Sequence, residues 1–357
     1  LITLELSGAK LSMSKSGLSA AIALGLGFCV SAVHAVPAIP EASGWSGHVN
    51  LAVGAGSSES NMLASLGSVD LGDDRISSLD EDAGSEDLVM PIVQFEVAYT
   101  LGDSATQFYL GNQVADYLNF DLETTLETHL GIRQAIPDIG TVDFSLATTP
   151  LATDVWKDPY LVDQRRGDTE RTSTGVKISW DDILSTPFEF EWVGKEIELD
   201  DEESGTSSSL GLSRAQQRQL RRTGDVDRFT LHYDWQINER HRLVPGIGYT
   251  DYQLDGDAMA EDGFALHLKH LYDLGRWRLV TKLSYEDVES DEINPIYDDE
   301  RQMESLGASV TVFYSNPFGL KRWTANASAA YTDEDSNIDF YDANLGLVSF
   351  GMFYRFD

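Results

Sequence analysis

Charged side chains recur at every second position along several stretches of this chain. Arg228 and His232 alternate with Phe229, Leu231 and Tyr233, and Arg278 and Lys282 alternate with Trp277, Leu279 and Leu283. Arg242, His267 and Lys269 stand in the same relation to their apolar neighbours. Nearer the N-terminus so do Glu96, Glu127, Asp143, Glu189 and Glu191, a set interrupted by Arg133, Lys177 and Lys195. The chemistry on offer is electrostatic: opposed charged walls across a narrow, low-dielectric passage focus a field and orient polar solutes. Catalytic strings are absent, with no HExxH, GxSxG or Walker loop and no GxGxxG before a helix. His48, His129, His232, His241, His267 and His270 stand in no such string, so the expectation is a non-enzyme with no cofactor and no metal. Cys29 is the single cysteine, which excludes a disulfide framework and a Cys-based zinc site.

The elements that must position these residues have a period of two, as strands do when one face meets apolar material. Strands are expected near 45–55, 91–100, 105–113, 124–136, 140–148, 170–180 and 187–197, then near 226–237, 241–251, 263–273, 276–287, 303–314, 321–332 and 343–356. No helical period spans the chain, so it reads as one all-β domain. Connections after odd-numbered strands are long (56–90, 114–123, 149–169, 198–225, 252–262, 288–302 and 333–342), whereas those after even-numbered strands are tight. A transmembrane antiparallel up-and-down β-barrel of about 14 strands sorts its loops in this way, with short periplasmic turns and long extracellular loops. Trp45, Trp180, Trp235, Trp277 and Trp323 all fall at periplasmic strand ends in that topology, and Tyr249, Tyr252, Tyr285 and Tyr331 at the opposite rim. Two interfacial girdles are the expectation. Alternation then sends the cationic residues of strands 8 to 11 inward as one positive wall, with the acidic set as a looser, mixed wall.

Composition narrows the partners. With 59 acidic and 25 basic side chains the formal charge is −34, a poor basis for binding nucleic acid. No run of eighteen apolar residues lies beyond the N-terminus, which excludes a multi-span helical membrane protein. Residues 1–12 precede Met13 and read as a non-native upstream extension. Residues 13–35 read as a signal peptide, with Lys15, the apolar stretch from Leu18 to Val30, and small residues Val33 and Ala35 at the cleavage site. Residues 36–357 would then be the barrel. Much of the acidity lies in runs assigned to outer loops: eight acids in 70–87, six in 196–203 and eight in 286–300. Such runs are solvated faces or sites where divalent cations bridge to lipopolysaccharide, although no EF-hand spacing occurs. In the 198–225 connection, Ser213 could cap a helix running to Arg222 that carries Arg214, Arg218 and Arg221. That helix would constrict the mouth, touch lipopolysaccharide phosphates or lie on the surface.

The C-terminal segment, Ser349-Phe350-Gly351-Met352-Phe353-Tyr354-Arg355-Phe356, resembles the closing-strand signal of Gram-negative outer-membrane β-barrels, with Ser349, Gly351, Tyr354 and Phe356 at its marked positions. Asp357 departs from it, since the signal usually ends on the aromatic. The resemblance implies insertion by the barrel-assembly machinery into the outer membrane, among its lipids and lipopolysaccharide. Fourteen strands stand between small barrels filled by side chains and sixteen-stranded porins. The expected function is a porin-like channel for passive diffusion of small polar solutes, anionic or sugar-like. The alternative is a non-conducting surface or structural barrel whose acidic loops bind a partner or divalent cations. Nothing in the sequence marks a subunit interface.

Overall fold

The computed structural model describes residues 38–66, 68–112, 127–149 and 152–357. The extension, the signal peptide, the whole of the expected 114–123 connection and residues 124–126 of the strand expected after it lie outside them. Fourteen strands form the wall. The first seven are β1 (Gly44–Glu59), β2 (Ser85–Leu101), β3 (Thr106–Gly111), β4 (Thr128–Ile136), β5 (Gly140–Thr148), β6 (Asp168–Asp181) and β7 (Phe188–Leu199). They continue as β8 (Gly224–Tyr233, prolonged by Trp235–Gln236), β9 (His241–Leu254), β10 (Glu261–Leu274) and β11 (Trp277–Ser290). The last three are β12 (Gln302–Ser315), β13 (Trp323–Ser336) and β14 (Ala343–Phe356). Each strand pairs antiparallel with its neighbour in sequence, and β14 returns to β1 from Gly47↔Phe356 to Glu59↔Asn344. Closure leaves no edge, which hydrocarbon would not tolerate because an unpaired backbone group there costs several kcal/mol. At the tightest turn, between β10 and β11, Gly275 takes φ 62°, the left-handed conformation that a two-residue hairpin turn requires.

The packing is inverted relative to a water-soluble protein. Outward positions are large and apolar, such as Phe264 and Phe350, each 69% exposed, with Leu51, Val93 and Ile247 at similar levels. This is the band of a membrane-spanning, outer-membrane barrel, facing lipid. Its lower edge is built of cross-strand aromatic pairs: Trp45 on Tyr99 at 5.0 Å, Trp277 on Tyr314 at 4.4 Å and Trp323 on Tyr354 at 4.9 Å between ring centroids. Tyr249 meets Phe264 at the upper edge. Tyr252 does not join that girdle: it lies on the inner face, where its hydroxyl accepts from Arg228 Nη2 at 3.3 Å.

Several strands rise further on the extracellular side than expected. β1 reaches Glu59 and β2 starts at Ser85, adding pairs such as Ser57↔Asp87. Glu196 and Glu198 lie in β7, and Glu286, Asp287 and Glu289 in β11, so these acids belong to the wall and not to loops. Above the lipid both faces of a strand meet water or polar protein, and the apolar alternation that reveals a strand is lost there. Inside, the connection 60–84 folds against the wall. Its short strand Leu63–Leu66 pairs with Thr153–Trp156 from the connection 149–167. Leu66 and Leu71 share one apolar cluster with Leu88, Met90 and Ile92 of β2 and Leu347 of β14.

Candidate functional site

The lumen has three levels. At the periplasmic level Arg133, on the inner face of β4, is fully buried between two carboxylates. Its Nε donates to Asp143 Oδ2 at 3.0 Å, its Nη2 to Glu96 Oε2 at 2.6 Å and its Nη1 to Gln107 Oε1 at 2.8 Å. The guanidinium lies 3.7 Å from the Tyr109 ring centroid, and the Tyr109 hydroxyl donates to Asp143 Oδ1 at 2.7 Å. Buried amides and hydroxyls extend the network round the wall: Asn326 Nδ2 donates to Asn50 Oδ1 and Asn50 Nδ2 to Gln94 Oε1, each at 3.0 Å. On the opposite side Val244, Leu271, Val280 and Phe313 point inward and are buried, with Phe353 packed against them. Among the described residues these buried side chains form the floor of the lumen.

The floor revises the expected walls. Glu96 and Asp143 do not border the cavity with the cationic strands; both pair with Arg133, the residue that had looked like an interruption of their set. Arg242 pairs with Asp234 at 3.1 Å, and Arg278 pairs with its register neighbour Asp273 at 2.6 Å, both at the periplasmic end. Neither arginine borders the cavity above. Glu189 is buried at the register position of His232 and is not among the residues bordering the cavity above.

Above the floor lies a cavity of about 580 Å³. Glu127, Glu191, Arg228, His232, His267, Lys269 and Lys282 all border it. Lys195 Nζ pairs with Glu127 Oε1 at 2.8 Å, and Lys177 Nζ with Glu191 Oε2 at 3.0 Å. Lys269 and Lys282 are directly opposed across β10 and β11. The His232 and His267 rings stand 6.0 Å apart.

The roof is a cap built from the extracellular connections, with an apolar core of its own. Tyr160, Leu220 and Phe340 are fully buried there, with Ile76, Met259, Ile338 and Tyr341 around them. The Tyr160 and Tyr341 hydroxyls share a 2.7 Å hydrogen bond, and Asn294 Nδ2 donates to Tyr341 Oη at 2.7 Å. Burial holds both phenols above their ordinary range, so this junction stays uncharged. Arg301 ion-pairs with Glu261 and lies 4.7 Å from the Tyr341 ring centroid; both Arg301 and Tyr341 border the chamber. Arg166 ties two connections together, donating to the carbonyls of Asn61 at 2.9 Å, Pro159 at 3.1 Å and Asp73. Its guanidinium lies 4.5 Å from the Trp156 ring centroid, and burial lowers its pKa to about 10.

The helix expected from Ser213 to Arg222 is shorter: α1 spans Arg214–Arg218, with Ser213 and Gln216 forming a capping box. Beyond it Leu220 enters the cap core, while Arg222 is buried, donating from Nε to Glu202 Oε1 at 3.0 Å and from Nη2 to the Trp156 carbonyl at 2.6 Å. The segment is thus anchored in the roof, and Arg222 is no part of a rim surface. The cap itself was not foreseen. Its signal was the presence of Ile76, Tyr160, Leu220, Ile338 and Phe340 in connections that solvated loops would have filled with polar residues.

Residues 44–355 match the family described as protein of unknown function DUF2860. The chain belongs to that family. The matched span runs from the first residue of β1 almost to the last of β14. No curated protein matches this chain in sequence. Among solved structures it is similar to the CymD monoaromatic hydrocarbon channel, at 8% identity and TM-score 0.45, covering 87% of this chain and 88% of that one. The outer membrane channel DcaP of Acinetobacter baumannii is similar at 8% identity and TM-score 0.42, covering 88% and 97%. An anion-selective porin from Comamonas acidovorans is similar at 9% identity and TM-score 0.39, covering 88% and 99%.

Proposed function

We propose that this DUF2860 barrel is a gated outer-membrane channel for small polar solutes, a conduit and not an enzyme. The observation that carries the reading is the chamber of about 580 Å³ inside a membrane-spanning wall, bordered by charged side chains, with the cap on its extracellular side and the buried floor on its periplasmic side. A general diffusion pore would keep its lumen wet from end to end. Here passage needs the cap to loosen and the floor to yield, so openings are rare and solutes pause in the chamber. Single-channel recording in planar bilayers tests this. Wild-type protein should give brief, infrequent openings, and deleting 201–222 from the cap should raise the open fraction at least tenfold. Silence from both proteins, each shown to be a folded barrel by circular dichroism, would refute the channel. It would favour the second reading, a non-conducting surface barrel, for which the buried Arg133 network is the supporting observation.

A further inference from the structure

Charge is unevenly shared among the turns of the periplasmic rim. Those joining the first seven strands carry Asp103, Asp138 and Asp182 and no base. Arg240, Arg276, Lys321 and Arg322 all stand in the turns of the other half, three of them in the neighbouring turns 275–276 and 316–322. Arg276 ties those two turns together. Its Nε donates to the Ser315 carbonyl at 2.9 Å and its Nη2 to that of Asn316, with the guanidinium 4.9 Å from the Tyr314 ring centroid. These bonds use two of the five N–H groups that a guanidinium carries. Arg322 pairs with Asp357 at 3.3 Å, but both side chains are more than half exposed, and such a pair holds weakly in water. Lys321 is exposed and makes no ion pair among the described residues.

Between these cations stands a large apolar side chain that nothing inside the molecule requires. Phe318 is 97% exposed at the tip of its turn, on left-handed backbone with φ 53°. That conformation suits Gly or Asn and is an outlier for a bulky residue. Leu320, also exposed, stands two residues on. The turn hangs from strand ends that carry Tyr314 and Trp323, ring partners of Trp277 and Tyr354 in the lower girdle, and the Asn316 N–H donates to the Trp323 carbonyl at 2.8 Å. Its apolar tip therefore continues the lipid-facing band beyond the girdle. The β6–β7 turn offers a comparison: Leu184 is exposed there at φ 51°, yet that turn holds no Lys or Arg.

We infer that this corner of the rim, Phe318 and Leu320 with Arg276, Lys321 and Arg322, docks an anionic phospholipid of the inner leaflet. Phe318 and Leu320 enter the leaflet where the wall of the barrel ends, and the cations meet the phosphate at headgroup level. Each basic side chain beside an anionic leaflet strengthens the attraction about fivefold. The site lies outside the lumen, so it stands whether or not the barrel conducts.

The test is native mass spectrometry of the full chain released from bilayers of phosphatidylglycerol and phosphatidylcholine in equal amounts. Wild-type protein should retain phosphatidylglycerol at least tenfold more often than phosphatidylcholine. Lys321→Gln/Arg322→Gln should bring the ratio to within threefold of unity, whereas Lys321→Arg/Arg322→Lys should keep it. Phe318→Ser should lower retention several-fold, and Leu184→Ser should leave it unchanged. Each variant is first shown to keep the heat-modifiable band of a folded barrel; if the double glutamine variant loses that band, Lys321→Gln alone serves, with a loss of about fivefold. Equal retention of the two lipids by wild-type protein, or equal losses in Phe318→Ser and Leu184→Ser, would overturn the inference. So would release of the bound lipid by millimolar glycerol phosphate, since the corner would then recognise a soluble phosphate and not a leaflet.

Discussion

Arg133 separates a packed floor from a watery pore by magnitude. Substituting methionine keeps much of the side-chain volume but leaves Glu96 and Asp143 facing each other in a buried network that had held both within 3.0 Å of one guanidinium. Breaking a buried ion pair by removing one partner costs about 3–5 kcal/mol. Removing all three charges together, as in Arg133→Met/Glu96→Gln/Asp143→Asn, is nearly neutral in the same accounting, because desolvation of the ions disappears along with their attraction. The single variant should therefore shift the unfolding equilibrium by two to nearly four orders of magnitude, at about 1.4 kcal/mol for each factor of ten, with the triple variant recovering most of it. Tryptophan fluorescence during guanidinium unfolding in lipid bilayers reads both, helped by the five tryptophans at the periplasmic edge. A single variant within about 1 kcal/mol of wild type would match the median for solvent-exposed ion pairs, and the packed floor would be wrong.

Three further outcomes are expected. Arg166→Ala strips the cap of a cation that holds three carbonyls, so it should raise the open fraction several-fold in bilayers and expose residues 60–84 to protease while the barrel band on gels is unchanged. Ile247→Arg, on the outer face near the middle of β9, should destabilise the barrel by about 2–4 kcal/mol, whereas an effect near zero would place that face away from hydrocarbon. At the upper rim Asp227, Asp251, Asp262 and Glu289 are successive cross-strand neighbours on the outer face. Relieving that repulsion by Asp251→Asn should stabilise by about 0.2–1 kcal/mol at low salt, and the gain should vanish in 1 M NaCl; thermal melts at the two salt concentrations check it.

What the sequence disclosed followed from where two solvents meet. Trp277, Leu279 and Leu283 alternate with Arg278, Val280 and Lys282 because one face of β11 sees lipid and the other does not, and that contrast is written residue by residue. Where the contrast ends, at Ser57 to Glu59 or Ser85 to Asp87, the strand continues unannounced. Charge placement inside the lumen was only half legible. Alternation assigns Arg242 and Arg278 to the inner face, but their partners Asp234 and Asp273 emerge only once the pairing of β8 with β9 and of β10 with β11 is known. Arg133 shows the same limit more sharply, since its meaning depends on Glu96 and Asp143, which reach it from other strands. The bare backbone of β9 was invisible for another reason: glycines at 246 and 248 read as weak strand formers until the His232 and His267 rings on either side are seen.

The cap carries a consequence for the order in which the molecule is built. Tyr160 and Tyr341, joined through their hydroxyls, are 181 residues apart, and Asn61 reaches the Phe340 carbonyl across 279. Bringing such distant segments together in a free chain costs on the order of 5 kcal/mol in loop entropy, before any side chain is ordered. Zipping β1 to β14 removes that cost, because the closed wall already holds the roots of every connection on one circle. The aromatic core above the membrane therefore forms last, after the barrel has sealed and its extracellular side has crossed the bilayer. Burial of Tyr160 and Phe340 becomes a timestamp for completed insertion, and a protein with an incomplete wall leaves those rings exposed.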